Sequence, residues 1–184
     1  VFNDENVFIS RTGYTGELGF EIMGSHENII EFWKKCIELG AKPCGLASRD
    51  ILRIEMKYCL YGNDMDESVT PYESNLGWIT SLSKGSFIGR ESIIKKEKTK
   101  RLVGFKMLER GIPRKNYKII RNDKVIGEVT SGTQSLMIQA GIGMCRILND
   151  NIQNGQKIEV LIREKKIKAE ICLKPFLNRT SIFD

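Results

Sequence analysis

The sequence predicts an α+β fold in two parts. A mixed α/β portion covers residues 1–98, and a small antiparallel β-barrel of Greek-key or jelly-roll character covers residues 99–184. Two features of the first half support this: short alternating apolar stretches, and longer stretches of helical period. The third lies beyond Arg101, where short β-type runs recur at even spacing between turn residues. A dense basic run, "KKEKTKR" (Lys95 to Arg101), lies where the texture changes and places a boundary near Lys98 to Lys100. One continuous domain is the alternative.

In chain order, "NVFIS" and "GFEIM" read as short strands flanking a glycine-rich loop. The stretch "SHENIIEFWKKCIELG" places Ile29, Phe32, Trp33 and Cys36 at helical spacing, with Ser25 as N-cap and Gly40 as C-cap. Pro43 and Gly45 punctuate a connector before a second helix in "LASRDILRIEMK". "YGNDMDESVTPYESNLGW" is too turn-rich for a regular helix and is expected to supply turns and bury Trp78. "WITSL" then reads as a strand and "GRESIIKKEKTK" as a short helix, with Gly85 and Gly89 around the turn between them. The β-type runs that follow are "RLVGFKM", "YKIIRN", "KVIGEVTS", "IGMCRIL", "KIEVLIR" and "KIKAEICL". "SGTQS" falls among the separators.

With 184 residues, the chain can bury a real core. Hydrophobic residues make up 41% and charged residues 28%, and no apolar run of about 18 residues predicts a membrane-spanning helix. The start at Val1 suggests a piece of a longer chain. Cys36, Cys44, Cys59, Cys145 and Cys172 are dispersed without a CxxC pair, which fits reduced, mostly buried thiols. With His26 as the sole histidine, a Cys/His zinc site is not expected, and no metal is assigned. The net charge of +6 fits either nucleic acid or an acidic protein partner. No RNP motif, zinc finger or helix-turn-helix accompanies it, so a nucleic-acid-binding module is the less favoured reading.

The most informative stretch is "SRTGYTGELGFEI", residues 10–22, with glycines at 13, 16 and 19. It is not a Walker A loop, because no Gly-Lys-Ser/Thr follows, and a strand rather than a helix N-terminus comes next. A hairpin with glycines at positive φ fits better. Strand alternation lets Phe20 and Ile22 share one side while Glu21 takes the other. A solvated Glu is one outcome. The other is a cleft-facing carboxylate accepting two parallel N–H bonds from an amino-pyrimidinone edge, as on guanine or a pterin, with Tyr14 beside it.

"SRTGYTGELGFEI", "PCGLASRDILRIEMKYCLYGNDMDESVTPYESNLGW", "KGSFIGRE" and "ERGIPRKNY…GEVTSGT" together resemble the aminomethyltransferase (T-protein) family of the glycine cleavage system. The match runs in order across almost the whole chain. It covers only the C-terminal half of family members. The resemblance implies transfer of a methylene carbon from an aminomethyl group on the lipoyl arm of the H-protein to tetrahydrofolate, with release of ammonia. It also implies that the catalytic aspartate belongs to the half absent here, so that this chain alone is inactive. Asp50 and Asp64 are read as local structure rather than as substitutes.

Carried over by position, the implied folate-site residues are Tyr14, Glu21, Arg49 and Tyr58, with a weaker match at Arg179 in "PFLNRTS". Glu21 would pair with the pterin edge, Arg49 has a planar donor fork suited to a carboxylate or carbonyl-rich edge, and Tyr58 offers a ring face or hydroxyl. Arg49 and Tyr58 are about 900° apart on a straight helix, so either the helix ends near Lys57 or they reach different parts of the ligand. Surface pairing of Arg49 with a nearby acid, and core packing of Tyr58, are the structural alternatives.

A related folate-binding factor, assisting iron–sulfur proteins and tRNA modification, shares the scaffold but carries a Lys-Gly-Cys-Tyr-x-Gly motif. Ser86 and Phe87 here favour the glycine-cleavage branch. "SGTQSLMIQAGIGM" departs from the family pattern after its threonine, where a Ser-Pro pair is common, which leaves that loop's conformation open. The resemblance places the protein in a bacterial cytoplasm or a mitochondrial matrix.

Overall fold

The computed structural model describes residues 7–178, 180 and 181. Its residues group into two compact units, one of residues 1–53 with 178–184 and the other of residues 54–177.

In the first unit, β1 (Phe8–Ser10) and β2 (Glu21–Met23) pair antiparallel, with Ser10 opposite Glu21 and Phe8 opposite Met23. The glycine-rich residues 11–20 form the loop of this hairpin. Of its three glycines only Gly16 takes positive φ, at 78°, so the expectation of a conformational role holds at one position rather than three. A Cβ on Gly13 or Gly19 would meet nothing closer than 3.9 Å.

Helix α1 (His26–Glu38) starts where the capping signal puts it, with the Ser25 hydroxyl accepting from Asn28 N at 3.3 Å. It ends in a Schellman motif. Gly40 sits at φ 95°, its N–H donates to Ile37 O, and Ala41 N donates to Cys36 O. The apolar stripe is in register with the prediction, yet no residue of α1 is buried, and Trp33 is 56% exposed. Helix α2 (Leu46–Glu55) follows the connector. It stops before Tyr58, and Lys57 takes φ 59°, so the chain has left the helical path when it reaches Tyr58.

The second unit is built on a closed antiparallel barrel. Its strands are β3 (Lys100–Met107), β4 (Lys118–Arg121), β5 (Lys124–Ser135), β6 (Ala140–Leu148), β7 (Lys157–Ile162) and β8 (Lys165–Cys172). Around the barrel the order is β3-β6-β5-β4-β7-β8, and β8 pairs back onto β3. The meander β4–β5–β6, with β3 returning beside β6, is a Greek key. Alternate residues point inward, as the pleat requires: Val103, Phe105 and Met107 on β3, Cys145 and Ile147 on β6, Val160 on β7 and Ile171 on β8. Gly127 and Gly143 allow the strands to close tightly, since a Cβ on Gly127 would lie 2.0 Å from Arg146 O.

Two readings of the sequence are corrected here. "SGTQS" is the end of β5, not a loop. Its small polar residues are buried with partners: Ser131, like the preceding Thr130, donates to Asp64, and Ser135 donates to Glu55 at 2.5 Å. "WITSL" is not a strand, and Trp78 is not buried. Residues Gly77–Ile79 form a single 3-10 turn, and Thr80 spends its N–H and hydroxyl on Gly77 O and Leu76 O. Tyr72 occupies the inner side of that turn, where a Cβ on Gly77 would lie 2.7 Å from its ring, and Trp78 points out, 83% exposed.

Helix α3 (Arg90–Lys95) is the predicted short helix, entered through Gly89 at φ 86°. The segment before it is fastened to the barrel by buried polar groups. Asp64 accepts from Thr130 Oγ1 at 2.5 Å, from Ser131 Oγ at 2.8 Å and from Leu60 N at 3.0 Å. Arg146 on β6 donates to Glu73 O at 2.9 Å and to the backbone oxygen of Asp64. The five cysteines form no disulfide among the described residues, and no helix among them is long and apolar enough to cross a membrane.

Candidate functional site

The hairpin unit gathers three of the residues singled out in the sequence. Glu21 opens β2, and its exposed carboxylate accepts from the Thr12 hydroxyl at 2.6 Å, while Thr12 lies 2.8 Å from the Ser10 hydroxyl. The cross-strand register of Ser10 and Glu21 makes this cluster possible, because opposite residues share one face. Thr12 thus fixes one oxygen of Glu21. Nothing in its sequence context singled it out beyond its place in the motif.

Tyr14 is half-buried within the loop, and the Arg49 guanidinium from α2 lies over its ring, 5.0 Å from the centroid. That distance is within the range for a cation–π contact. The expected i,i+3 pairing with an acid belongs instead to Arg53, which bonds Asp50 at 2.8 Å. Asp50 is therefore engaged locally, and Asp64 is a buried anchor in the barrel unit.

The loop between these groups is braced at both ends. Arg11 lies 4.7 Å over the Phe20 ring and reaches Gly19 O at 3.4 Å. Farther along, Glu17 accepts from the backbone N–H of Ser181 at 3.0 Å and from its hydroxyl, and Leu18 N donates to the same hydroxyl at 2.7 Å. The Ser181 hydroxyl and then its N–H hold the Glu17 carboxyl below the ordinary carboxylate range, against a small opposing effect of burial. Sequence reasoning missed both Glu17 and Ser181, since no local signal joins residues so far apart.

Tyr58 lies half-buried in the other compact unit, just past Lys57. Arg179 lies outside the described residues. Lys57 itself is a notable neighbour. It donates to Leu173 O at 2.7 Å and Cys172 O at 3.2 Å, and burial pushes its ammonium down to about 8.

The barrel carries a second feature, a cleft of about 950 Å³ at one end, lined by Arg110, Arg114 and Arg163 together with Tyr117, Gln134 and Gln139. Met107, Ile112 and Ile162 add an apolar part to its lining. The motif "ERGIPRKNY" supplies two of the three arginines.

A Greek-key barrel preceded by a glycine-loop hairpin, whose unit carries Arg49 over the Tyr14 ring and an exposed Glu21, makes this a two-part α+β protein. The chain belongs to the glycine cleavage T-protein family. Residues 2–84 match the family described as "GCVT N-terminal domain" and residues 100–178 match "Glycine cleavage T-protein C-terminal barrel domain". It is 46% identical to an aminomethyltransferase of Halothermothrix orenii over 93% of this chain and 50% of that one. It is 42% identical to an aminomethyltransferase of Aquifex aeolicus over 95% of this chain and 49% of the relative. The crystal structure of glycine cleavage system aminomethyltransferase T from Bartonella henselae is similar with a TM-score of 0.89 at 29% identity, covering 96% of this chain and 51% of that one. The chain spans about half the length of the curated relatives it matches.

Proposed function

We propose that this chain is the C-terminal portion of a tetrahydrofolate-dependent aminomethyltransferase, with residues 1–98 completing the folate-binding domain and residues 99–184 forming the barrel domain. The observation that carries the reading is the grouping of Tyr14, Arg49 and Glu21 on one compact unit of a T-protein family chain. Glu21 accepts the paired N–H groups of the pterin edge through its two oxygens, and the Thr12 hydroxyl bonded to one of them steadies the carboxylate. Tyr14, pinned by Arg49, offers a ring face. Tyr58 and Arg179 complete the folate contacts in this reading. In the reaction, the C–S bond of the aminomethyl-lipoyl group breaks, the methylene carbon bridges two folate nitrogens, and the amine leaves as ammonia.

The catalytic carboxylate lies in the remainder of the protein in this reading, so the chain alone does not turn over. The partner in this reading is the lipoyl-bearing H-protein, and an acidic protein partner accounts for the +6 balance at least as well as nucleic acid does, with the arginine-lined cleft of the barrel as its candidate docking face. Of the two settings the resemblance implies, a bacterial cytoplasm or a mitochondrial matrix, the bacterial relatives favour the first in this reading. The test is calorimetric. Tetrahydrofolate should bind the full-length protein and lose affinity on Glu21→Gln, and unchanged affinity would overturn the site. Methylenetetrahydrofolate formed by the pure chain from loaded H-protein would overturn the inactivity.

A further inference from the structure

We propose that Ser181 is a positioning residue that latches the glycine loop to the chain's C-terminal segment and so holds Tyr14 in place to receive the folate ring; this rests on the folate reading above. Three bonds form the latch. The Ser181 N–H and hydroxyl both donate to Glu17 Oε2, and the hydroxyl oxygen accepts from Leu18 N at 2.7 Å. The hydroxyl thereby uses both its donor and an acceptor lone pair on adjacent residues of the same loop.

Glu17 and Leu18 are exposed, Leu18 by 58%, so burial does not hold them. The internal bonds are longer, at 3.3 Å from Glu17 N to Thr15 Oγ1 and 3.4 Å from Arg11 to Gly19 O. Gly16, at φ 78°, gives the backbone freedom between Tyr14 and the latch. Thr180, the residue that precedes Ser181, is buried at 6% exposure. A loop fixed on one side by Arg49 over Tyr14 and on the other by Ser181 is preorganised, and the ligand does not bear the cost of ordering it.

The latch also carries a charge. Glu17 accepts as a carboxylate, so Glu17→Gln weakens the bonds while keeping the shape. Ser181→Ala removes the hydroxyl, and Ser181→Thr keeps it.

The experiment uses the full-length protein with Ser181→Ala, Glu17→Gln, the double variant and Ser181→Thr, alongside Glu21→Gln. Expected is a rise in KM for tetrahydrofolate of about three- to tenfold for Ser181→Ala and Glu17→Gln, with kcat within about twofold. The double variant should be no worse than either single one, and Ser181→Thr should restore the native value. Without folate, amide exchange at Leu18 should quicken in Ser181→Ala and stay native in Ser181→Thr. Unchanged exchange at Leu18 would overturn the latch. Faster exchange with unchanged KM would overturn its positioning role. If Glu21→Gln also leaves folate affinity unchanged, the folate reading itself has failed. If Glu21→Gln weakens binding while Ser181→Ala does not, only the latch has failed.

Discussion

The guanidinium of Arg49, projecting from α2, lies over the ring of Tyr14 at 5.0 Å from its centroid. A flat, permanently charged group on a flat ring locks both rotamers, which a lysine cannot do. In the full-length protein Arg49→Lys is therefore expected to weaken tetrahydrofolate binding about tenfold, and Tyr14→Ala similarly. Tyr14→Phe, which keeps the face, should cost less than about threefold. Titration calorimetry on the three variants checks this ordering.

Glu21 offers an acceptor pair whose strength depends on charge. Glu21→Gln replaces one acceptor by a donor and is expected to cost on the order of 1.5–3 kcal/mol of folate affinity. The fold should not notice, because the side chain is exposed. Equal melting temperatures with unequal binding would show that separation.

Asp64 answers a different question. Its carboxylate is fully buried and is bonded to Thr130, Ser131 and Leu60 N. Asp64→Ala removes the shared acceptor of two hydroxyls and an N–H in the interior, with Met144 O left as a partner for Thr130, so a loss of about 3 kcal/mol in unfolding free energy is expected. Urea denaturation of the chain measures it.

The barrel's closure depends on Gly127. A methyl there would fall 2.0 Å from Arg146 O, a backbone atom that cannot swing aside. Gly127→Ala is expected to destabilise by several kcal/mol, about the range of the worst overpacking substitutions. Loss of the cooperative thermal transition would be the signature.

Lys57 sets a pH dependence. Burial lowers its ammonium to about 8 in the folded chain, from 10.5. Between those values the unfolded chain binds more protons than the native one, so this group adds stability as pH rises through the window from about 8 to 10.5. Below about 8 the charged lysine is carried at a cost, offset in part by its bonds to the Leu173 and Cys172 carbonyls. Denaturation at pH 7.5 and 9.5, approximately bracketing the lower end of that window, should show wild type gaining relative to Lys57→Met.

Much of the fold was legible because local chemistry and tertiary demand agreed. Ser25 and Gly40 marked the ends of α1, and alternating Val, Ile and Phe marked the barrel strands. The failures have a common cause. Ser131, Thr133 and Ser135 read as loop because polarity usually means solvent, yet the buried carboxylates of Asp64 and Glu55 meet the Ser131 and Ser135 hydroxyls inside. Trp78 read as core because size usually means burial, but Tyr72 already held the inner place. In the candidate site, Tyr14, Glu21 and Arg49 could be named from their motifs. Thr12, Glu17 and Ser181 could not, because their importance lies in bonds to residues that sequence spacing does not connect.

Closure of the barrel also divides the molecule's liabilities. Each of the six barrel strands has a neighbour on both sides, so the barrel offers another chain no continuous row of free backbone donors and acceptors to template on. The ribbon of β1 and β2 has only each other among the described strands, with Phe8, Ile9 and Met23 more than half exposed. Strand-by-strand aggregation of the isolated chain should thus begin at this ribbon, and a charged residue at Phe8 or Met23 is where a gatekeeper belongs.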